Sequence, residues 1–465
     1  MRFFLSAIFC VVTLASYCQQ TAYKGAWQEL NSNKWASAAK LLTDAEADPL
    51  TFQDAYITNI YLKTYNGKID NVTDFGTSYY DKSQNPYPYI FALWYNTAVL
   101  GESGKKDKDY QLKLVDRLIT DKKAHGTIVG SANYQRGMNN LFSNNFDKTQ
   151  PYFDAVGNIK NWQYAGPFEN ISESGFYKNY GPLEHPEPEA IFKSVNNADV
   201  KWITPAAENK DGWNPVCYQF NKSTGVAYAQ NFVQSPSDQQ VYCNIGVSGS
   251  IKVWINDELM IAESKERVTD MDTYTVKCNL KKGANRVLIQ IGYTATSYPN
   301  FNVRFTDENF WPLQNITGSS TFAAYSKTAG DYKSIVRIAH FAEAFFADKI
   351  AKQPENLVNY LLLADVYLRN KKIIEARDIL TTAINMAPDN CLLKTKMVEV
   401  LIREDNRTLM LEEIEKIKQA DPNSLLVYDL KLKELFENQK FEDGAIELKK
   451  RIDLYGEDQA TDAYK

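Results

Sequence analysis

The sequence is short of the groups on which most catalytic and metal chemistry depends. It has three histidines, His125, His185 and His340, and six cysteines in 465 residues. Beyond Cys18 the cysteines are Cys217, Cys243, Cys278 and Cys391. They show none of the paired spacing that a zinc site uses, and none combines with a histidine in a recognisable nucleophile motif. No glycine-rich loop ends in Lys-Ser or Lys-Thr, which excludes a P-loop. No metal and no cofactor is expected. After the first residues no apolar run reaches the ~18 residues that a transmembrane helix needs. An excess of basic charge is also missing. Lys and Arg number 52 against 57 Asp and Glu, and losing Arg2 with a leader moves the net charge from −5 to near −6. That balance argues against a nucleic-acid footprint, which is a basic patch.

What is present begins with a leader. Met1-Arg2 precedes an apolar run from Phe3 to Leu14, too short to span a bilayer. Ser16-Tyr17-Cys18 then puts small residues at the two positions a signal peptidase reads. The reading is a signal peptide over 1–18 and an exported protein, periplasmic or extracellular. Bulky Tyr17 disfavours the rival, a lipoprotein anchored at Cys18. At 44% hydrophobic and 23% charged, the rest is a globular composition, long enough for two or three domains.

The fold class predicted is multidomain α + β, with α-helical repeats flanking an antiparallel β-sandwich. Residues 19–157 carry apolar side chains at three- and four-residue spacing, the mark of helices. Over 158–313 the period changes to two. Val241, Cys243, Ile245 and Val247 share one face of a strand, followed by Ile251, Val253 and Ile255. Asn256-Asp257 suits a hairpin turn, because Asx residues tolerate positive φ. Tyr274 to Leu280 and Val287 to Ile291 alternate again, with Lys281 to Asn285 as the turn. Short strands are also read at Val200–Ile203, Cys217–Phe220, Val226–Val233 and Phe301–Phe305. Cys243 and Cys278 face inward as free thiols, although an exported protein also allows a disulfide. Trp254 lies on the opposite face from Val253 and is expected to pack on the helical domains.

Over 325–465 the helical period returns with a countable repeat. Pro354, Pro388 and Pro422 are 34 residues apart, and Ala364, Ala376 and Ala383 are small where paired helices must approach. That period is the tetratricopeptide signature. Such repeats stack, and a stack needs a polar cap. Gly456 to Lys465 opens another helix without one, so more protein is expected to follow, covalently or as a partner.

Trp162 to Phe168 (WQYAGPF), Gly175-Phe176, Pro186-Glu187, Ile251 to Asp257 (IKVWIND) and Leu280 to Leu288 (LKKGANRVL) resemble, in order and spacing, the motifs of a galactose-binding-like jelly-roll module. With flanking tetratricopeptide helices and a signal peptide, the chain resembles the N-terminal half of large exported proteins of the Bacteroidetes type. Those often continue into a transglutaminase-like cysteine-protease fold. That catalytic half needs a nucleophilic Cys with His and Asp. Here three of the cysteines sit in the sandwich and Cys391 opens a helix, so the scaffold carries over and the activity does not.

Few motifs remain for chemistry. Gly246-Val247-Ser248-Gly249 lacks the full nucleophile-elbow pattern and reads as a turn. Asp270 and Asp272 could offer oxygens to calcium, but read better as a solvated loop. His185 with Glu184 or Glu187 lies in a proline-rich linker. Loop aromatics are the better candidates: Trp213 with Asn214, and Tyr298 with Asn300, could stack on and hydrogen-bond a sugar. The expected function is an exported non-catalytic scaffold or binding protein, with a tetratricopeptide groove for a protein or peptide and a sandwich that docks or holds glycan. The alternatives are the accessory half of a transglutaminase- or peptidase-like enzyme, and a carbohydrate-binding protein.

Overall fold

β6 (Gln239–Ile255) is the longest strand among the described residues of the protein's computed structural model, and it is buried along most of its length. The structure describes residues 21–67, 75, 79–96, 108–206, 209–220, 224–328, 335–457 and 459–464. The leader and Cys18 lie outside these. By their packing, the residues form two units. The described residues within 1–111, 342–368 and 372–465 form a helical unit, and those within 112–341 with 369–371 form a sheet unit. The architecture is therefore mixed α + β, but its divisions differ from the sequence reading. Residues 112–157 belong with the strands, and the two helical ends of the chain form one unit.

In the sheet unit, β1 (Gln163–Phe168), β5 (Gly225–Ser235), β9 (Gly283–Tyr293), β6 and β10 (Asn300–Thr306) are hydrogen-bonded in that order, and the two-residue strand β4 (Asn214–Pro215) extends the edge. β7 (Glu258–Val268) and β8 (Tyr274–Leu280) also pair with β6. All the pairings within this sheet are antiparallel. A separate two-stranded ladder joins β2 (Ile191–Lys193) to β3 (Asp199–Lys201).

β6 serves two layers. Its first half pairs with β8 and β10, and its second half with β9 and β7. The change of partner falls at Gly249, where φ is +146° and the register with β7 shifts. A Cβ there would sit 2.8 Å from the Gly292 carbonyl, so only glycine fits the bend. Sequence reading split this strand in two and took 246–249 for a turn; the residues are instead strand throughout. Val241, Cys243, Ile245 and Val247 from one half, and Ile251, Val253 and Ile255 from the other, are buried in the same core with Val287, Ile289 and Phe301. Cys243 and Cys278 are buried there as free thiols.

The opposite face holds a second core. Tyr228, Trp254 and Leu288 cluster with Phe168, Phe192 and Trp202 from the segment 168–202. Trp254 is thus buried within its own unit by that segment, in place of the expected packing on helical domains. Arg286 anchors the segment. Its guanidinium, 1% exposed, donates to the Pro182 and Leu183 carbonyls, to Gln230 and to Asp257. Asn256 and Asp257 take φ of +52° and +69°, as a tight hairpin demands.

Two helices pack with this unit, α7 (Gly126–Phe142) and α8 (Gln150–Val156). A buried ion pair ties them to β10. Arg304 Nε donates to Asp272 Oδ1 at 2.7 Å, and its Nη2 also bonds Asp272 Oδ2. Thr127 Oγ1 donates to the same carboxylate at 2.7 Å, while the guanidinium also reaches the Val156 and Gly126 carbonyls. Asp272 is 2% exposed, so the solvated loop expected there is wrong at this residue. Residues 217–220 are not a strand either; Val216–Tyr218 is a 3-10 turn.

In the helical unit, residues 21–31 form α1, followed by α2 (Trp35–Ala45), α3 (Phe52–Tyr65), the short α4 (Tyr80–Lys82) and α5 (Tyr87–Ala92). α6 (Lys108–Thr120) crosses the boundary between the units. After the sheet unit come α9 (Phe341–Lys352), α10 (Val358–Arg369), α11 (Ile373–Met386), α12 (Cys391–Arg403), α13 (Arg407–Ala420), α14 (Leu425–Glu437) and α15 (Phe441–Tyr455), with α16 (Gln459–Asp462) last. The turns inside the three C-terminal hairpins each carry one left-handed residue, Lys371, Asp405 and Gln439. Asn33, between α1 and α2, has the same conformation. Asn390 caps α12 and Asn406 caps α13, each accepting a backbone N–H three residues on.

Candidate functional site

The loop residues expected to meet a sugar come together at one end of the sheet unit, but only some remain available. β4 pairs Asn214 with Phe301 and Pro215 with Asn300, which brings the two loops side by side. Asn214 is 9% exposed and spends its amide on the Gly212 and Phe301 carbonyls and the Tyr164 hydroxyl. Trp213 packs over the backbone of β6: a Cβ at Gly246 would lie 2.8 Å from the indole Cη2. These two residues brace the loop. Tyr298 is 40% exposed and meets Tyr218, 68% exposed, edge-on at 5.7 Å, with their hydroxyls bonded at 2.9 Å. Burial of its hydroxyl and that shared bond push the Tyr298 phenol upward, keeping it a neutral hydrogen-bonding group. Asn300 Nδ2 donates to the Tyr298 carbonyl. Sequence reasoning missed Tyr218 because it placed 217–220 in a strand. The exposed aromatic pair is therefore Tyr218 and Tyr298.

The other candidates find partners elsewhere. Asp270 accepts from Arg369 Nε at 2.6 Å and Asp272 from Arg304, so neither is presented as a calcium ligand. His185 is exposed, with Glu187 4.0 Å away, and no metal-binding cluster of His, Cys, Asp or Glu exists among the described residues. Burial raises the thiols of Cys217, Cys278, Cys243 (to about 12) and Cys391 (to about 11), the opposite of nucleophile activation. His125 sits between Phe310 and Phe341, with ring centroids at 4.5 and 3.9 Å, and its Nδ1 accepts the Thr127 N–H. Burial lowers it to about 4, so the ring is neutral at pH 7.

A second candidate, a cleft, lies in the helical unit. A groove of about 1400 Å³ runs between α1, the turn from α2 into α3, and the end of α9. Its floor is a chain of hydrogen bonds. The Tyr23 hydroxyl, 3.2 Å from Thr58 Oγ1, donates to Asn356 Oδ1 at 3.0 Å. Asn356 Nδ2 donates to Asp54 Oδ2 at 2.6 Å, and Lys349 Nζ donates to Asp54 Oδ1 and to the Tyr89 hydroxyl. Burial, reinforced by the Asp54 charge, holds the Tyr23 phenol far above its ordinary value, so this hydroxyl remains a donor. A fixed polar floor of this kind presents defined donors and acceptors with little reorganisation.

No family model matches the chain, and no curated protein matches it. Among solved structures, the β-glucosidase of Kluyveromyces marxianus matches in a selenomethionine form and in complex with glucose, at 15% and 16% identity. Each match covers 41% of this chain with a TM-score of 0.21, and spans only 18% of the length of the enzyme. A likeness that slight carries no argument about fold or activity. No helix among the described residues is long and apolar enough to cross a membrane.

Proposed function

We propose that the chain is an exported, non-catalytic scaffold that binds other molecules. Its tetratricopeptide-like helical unit takes a polypeptide, and its jelly-roll-like sheet unit serves for docking. The observation that carries the reading is the groove with its fixed polar floor at Tyr23, Asp54, Lys349 and Asn356. The raised thiols and the neutral, half-buried His125 support a binding role over nucleophilic chemistry. Export rests on the composition of residues 1–18. A second reading, glycan binding by the sheet unit, is favoured by the exposed Tyr218–Tyr298 pair, since open ring faces with polar tips suit sugars. The accessory half of a transglutaminase- or peptidase-like enzyme is compatible with the same scaffold. The test is to present the purified full chain to a random-peptide display library and to a panel of soluble glycans. Saturable peptide binding is expected. Glycan binding without any peptide binding would replace the first reading by the second.

A further inference from the structure

We infer that the helical unit seats its partner in the groove beside α1, and not on the inner face of its C-terminal hairpins, and that the partner is an extended, near-neutral polypeptide. This deepens the binding reading above and rests on it.

The hairpin face is already occupied by the chain itself. The Tyr61 hydroxyl on α3 donates to Asp365 on α10 at 2.6 Å, and Lys396 on α12 reaches the same carboxylate. Tyr65 and Trp35 both donate to Asp421, at 2.7 and 2.9 Å. Asn31 and Asn33 bond Asn390, the Asp389 carbonyl and the Cys391 N–H at the start of α12. Partners from the N-terminal helices thus recur along α10, the start of α12 and the end of α13. Burial follows the same gradient. Val358, Leu361, Leu362, Ala364 and Val366 of α10 are at most 1% exposed, whereas α14 buries only Tyr428 and Leu432. The face that an array of helical hairpins would otherwise offer to a peptide is filled by residues 21–66.

The groove that remains open has the chemistry of a peptide site. At about 1400 Å³ it exceeds the ~300–1,000 Å³ typical of small-molecule pockets. Amide side chains line it, among them Gln28, Gln53, Gln84, Gln353 and Asn356. Each amide supplies a donor and an acceptor, which matches the alternating N–H and C=O of an extended backbone. Its charges balance, with Lys24, Lys82 and Lys349 against Glu46, Asp54 and Glu355, so a strongly charged partner gains nothing there. Of its aromatic side chains, Trp27 and Phe52 are each 7% exposed, so neither of these rings offers a face for a sugar to stack on. Leu50, 71% exposed on the rim, gives an apolar side chain of the partner a place to pack.

The probe is a peptide selected from a random display library on the full chain and then synthesised. Its affinity is measured by titration calorimetry against the native chain, the double variant Gln28→Ala/Gln353→Ala and the variant Leu50→Arg. Gln28, Gln353 and Leu50 are exposed, so folding is retained, and circular dichroism checks this. The expected result is at least a tenfold loss in each groove variant and no change in Tyr218→Ala/Tyr298→Ala. Unchanged affinity in both groove variants would overturn the seat while leaving the binding reading intact. Failure to select any peptide would overturn both.

Discussion

Removing the Asp272 carboxylate exposes the energetics of the sheet unit most directly. Arg304 and Asp272 are both 1% exposed in their side chains, and Asp272 gives the guanidinium its only carboxylate among the described ion pairs. In Asp272→Ala the cation remains buried with only the Val156 and Gly126 carbonyls to accept from it. Breaking one side of such a pair costs about 3–5 kcal/mol, because a desolvated charge is left uncompensated. The Thr127 hydroxyl also loses its acceptor, which adds about 1 kcal/mol. For a unit of about 230 residues each kcal/mol moves Tm by about 2–4 °C, so a drop of roughly 10 °C or more is expected in its transition. Thermal and urea unfolding followed by tryptophan fluorescence reads this. The double variant Asp272→Ala/Arg304→Met should recover much of the loss, since neither charge is then stranded. A loss below about 1 kcal/mol in the single variant, or a double variant as unstable as the two singles added, would refute the reasoning.

Three further outcomes follow from the same contacts. His125, lowered to about 4 from an unfolded value near 6.5, favours its neutral form in the fold. Stability is therefore complete above about pH 6.5 and falls as pH drops toward 4, by up to about 3 kcal/mol; His125→Gln should flatten this window in a pH series of urea melts, and an unaltered profile would argue against it. Asp421→Ala strands the Tyr65 hydroxyl and the Trp35 N–H, and should cost the helical unit about 2–3 kcal/mol by chemical denaturation. Arg286→Met should loosen the segment 168–202, read as faster hydrogen exchange around Leu183 with the inner core unaffected.

The helical character of the two chain ends was legible because apolar side chains recur there at three- and four-residue spacing, and α2, α7 and α10 to α15 lie within those stretches. The inward faces of β6, β8 and β9 were legible for the same reason. The bend in β6 was not, since Ser248-Gly249-Ser250 has the composition of a turn and only the change of pairing partner shows that the strand continues. Nor was the union of the chain ends. Tyr61 and Asp365 are 304 positions apart, and no local pattern encodes a hydrogen bond across an inserted unit. The candidate site suffered likewise. Trp213 and Asn214 looked like ligand contacts because loop aromatics and amides often are, but their roles depend on Gly246 and the Phe301 carbonyl, which belong to other strands. Asp270 and Asp272 read as solvated because their arginine partners are distant in sequence.

The most direct test of the binding account is a hydrogen-exchange footprint of the full chain with a saturating library-selected peptide. The account predicts new protection in α1, in the turn around Leu50 to Asp54, and around Gln353 to Asn356, with α14 and the Tyr218–Tyr298 loops unchanged. Protection confined to α14 or to those loops would contradict it.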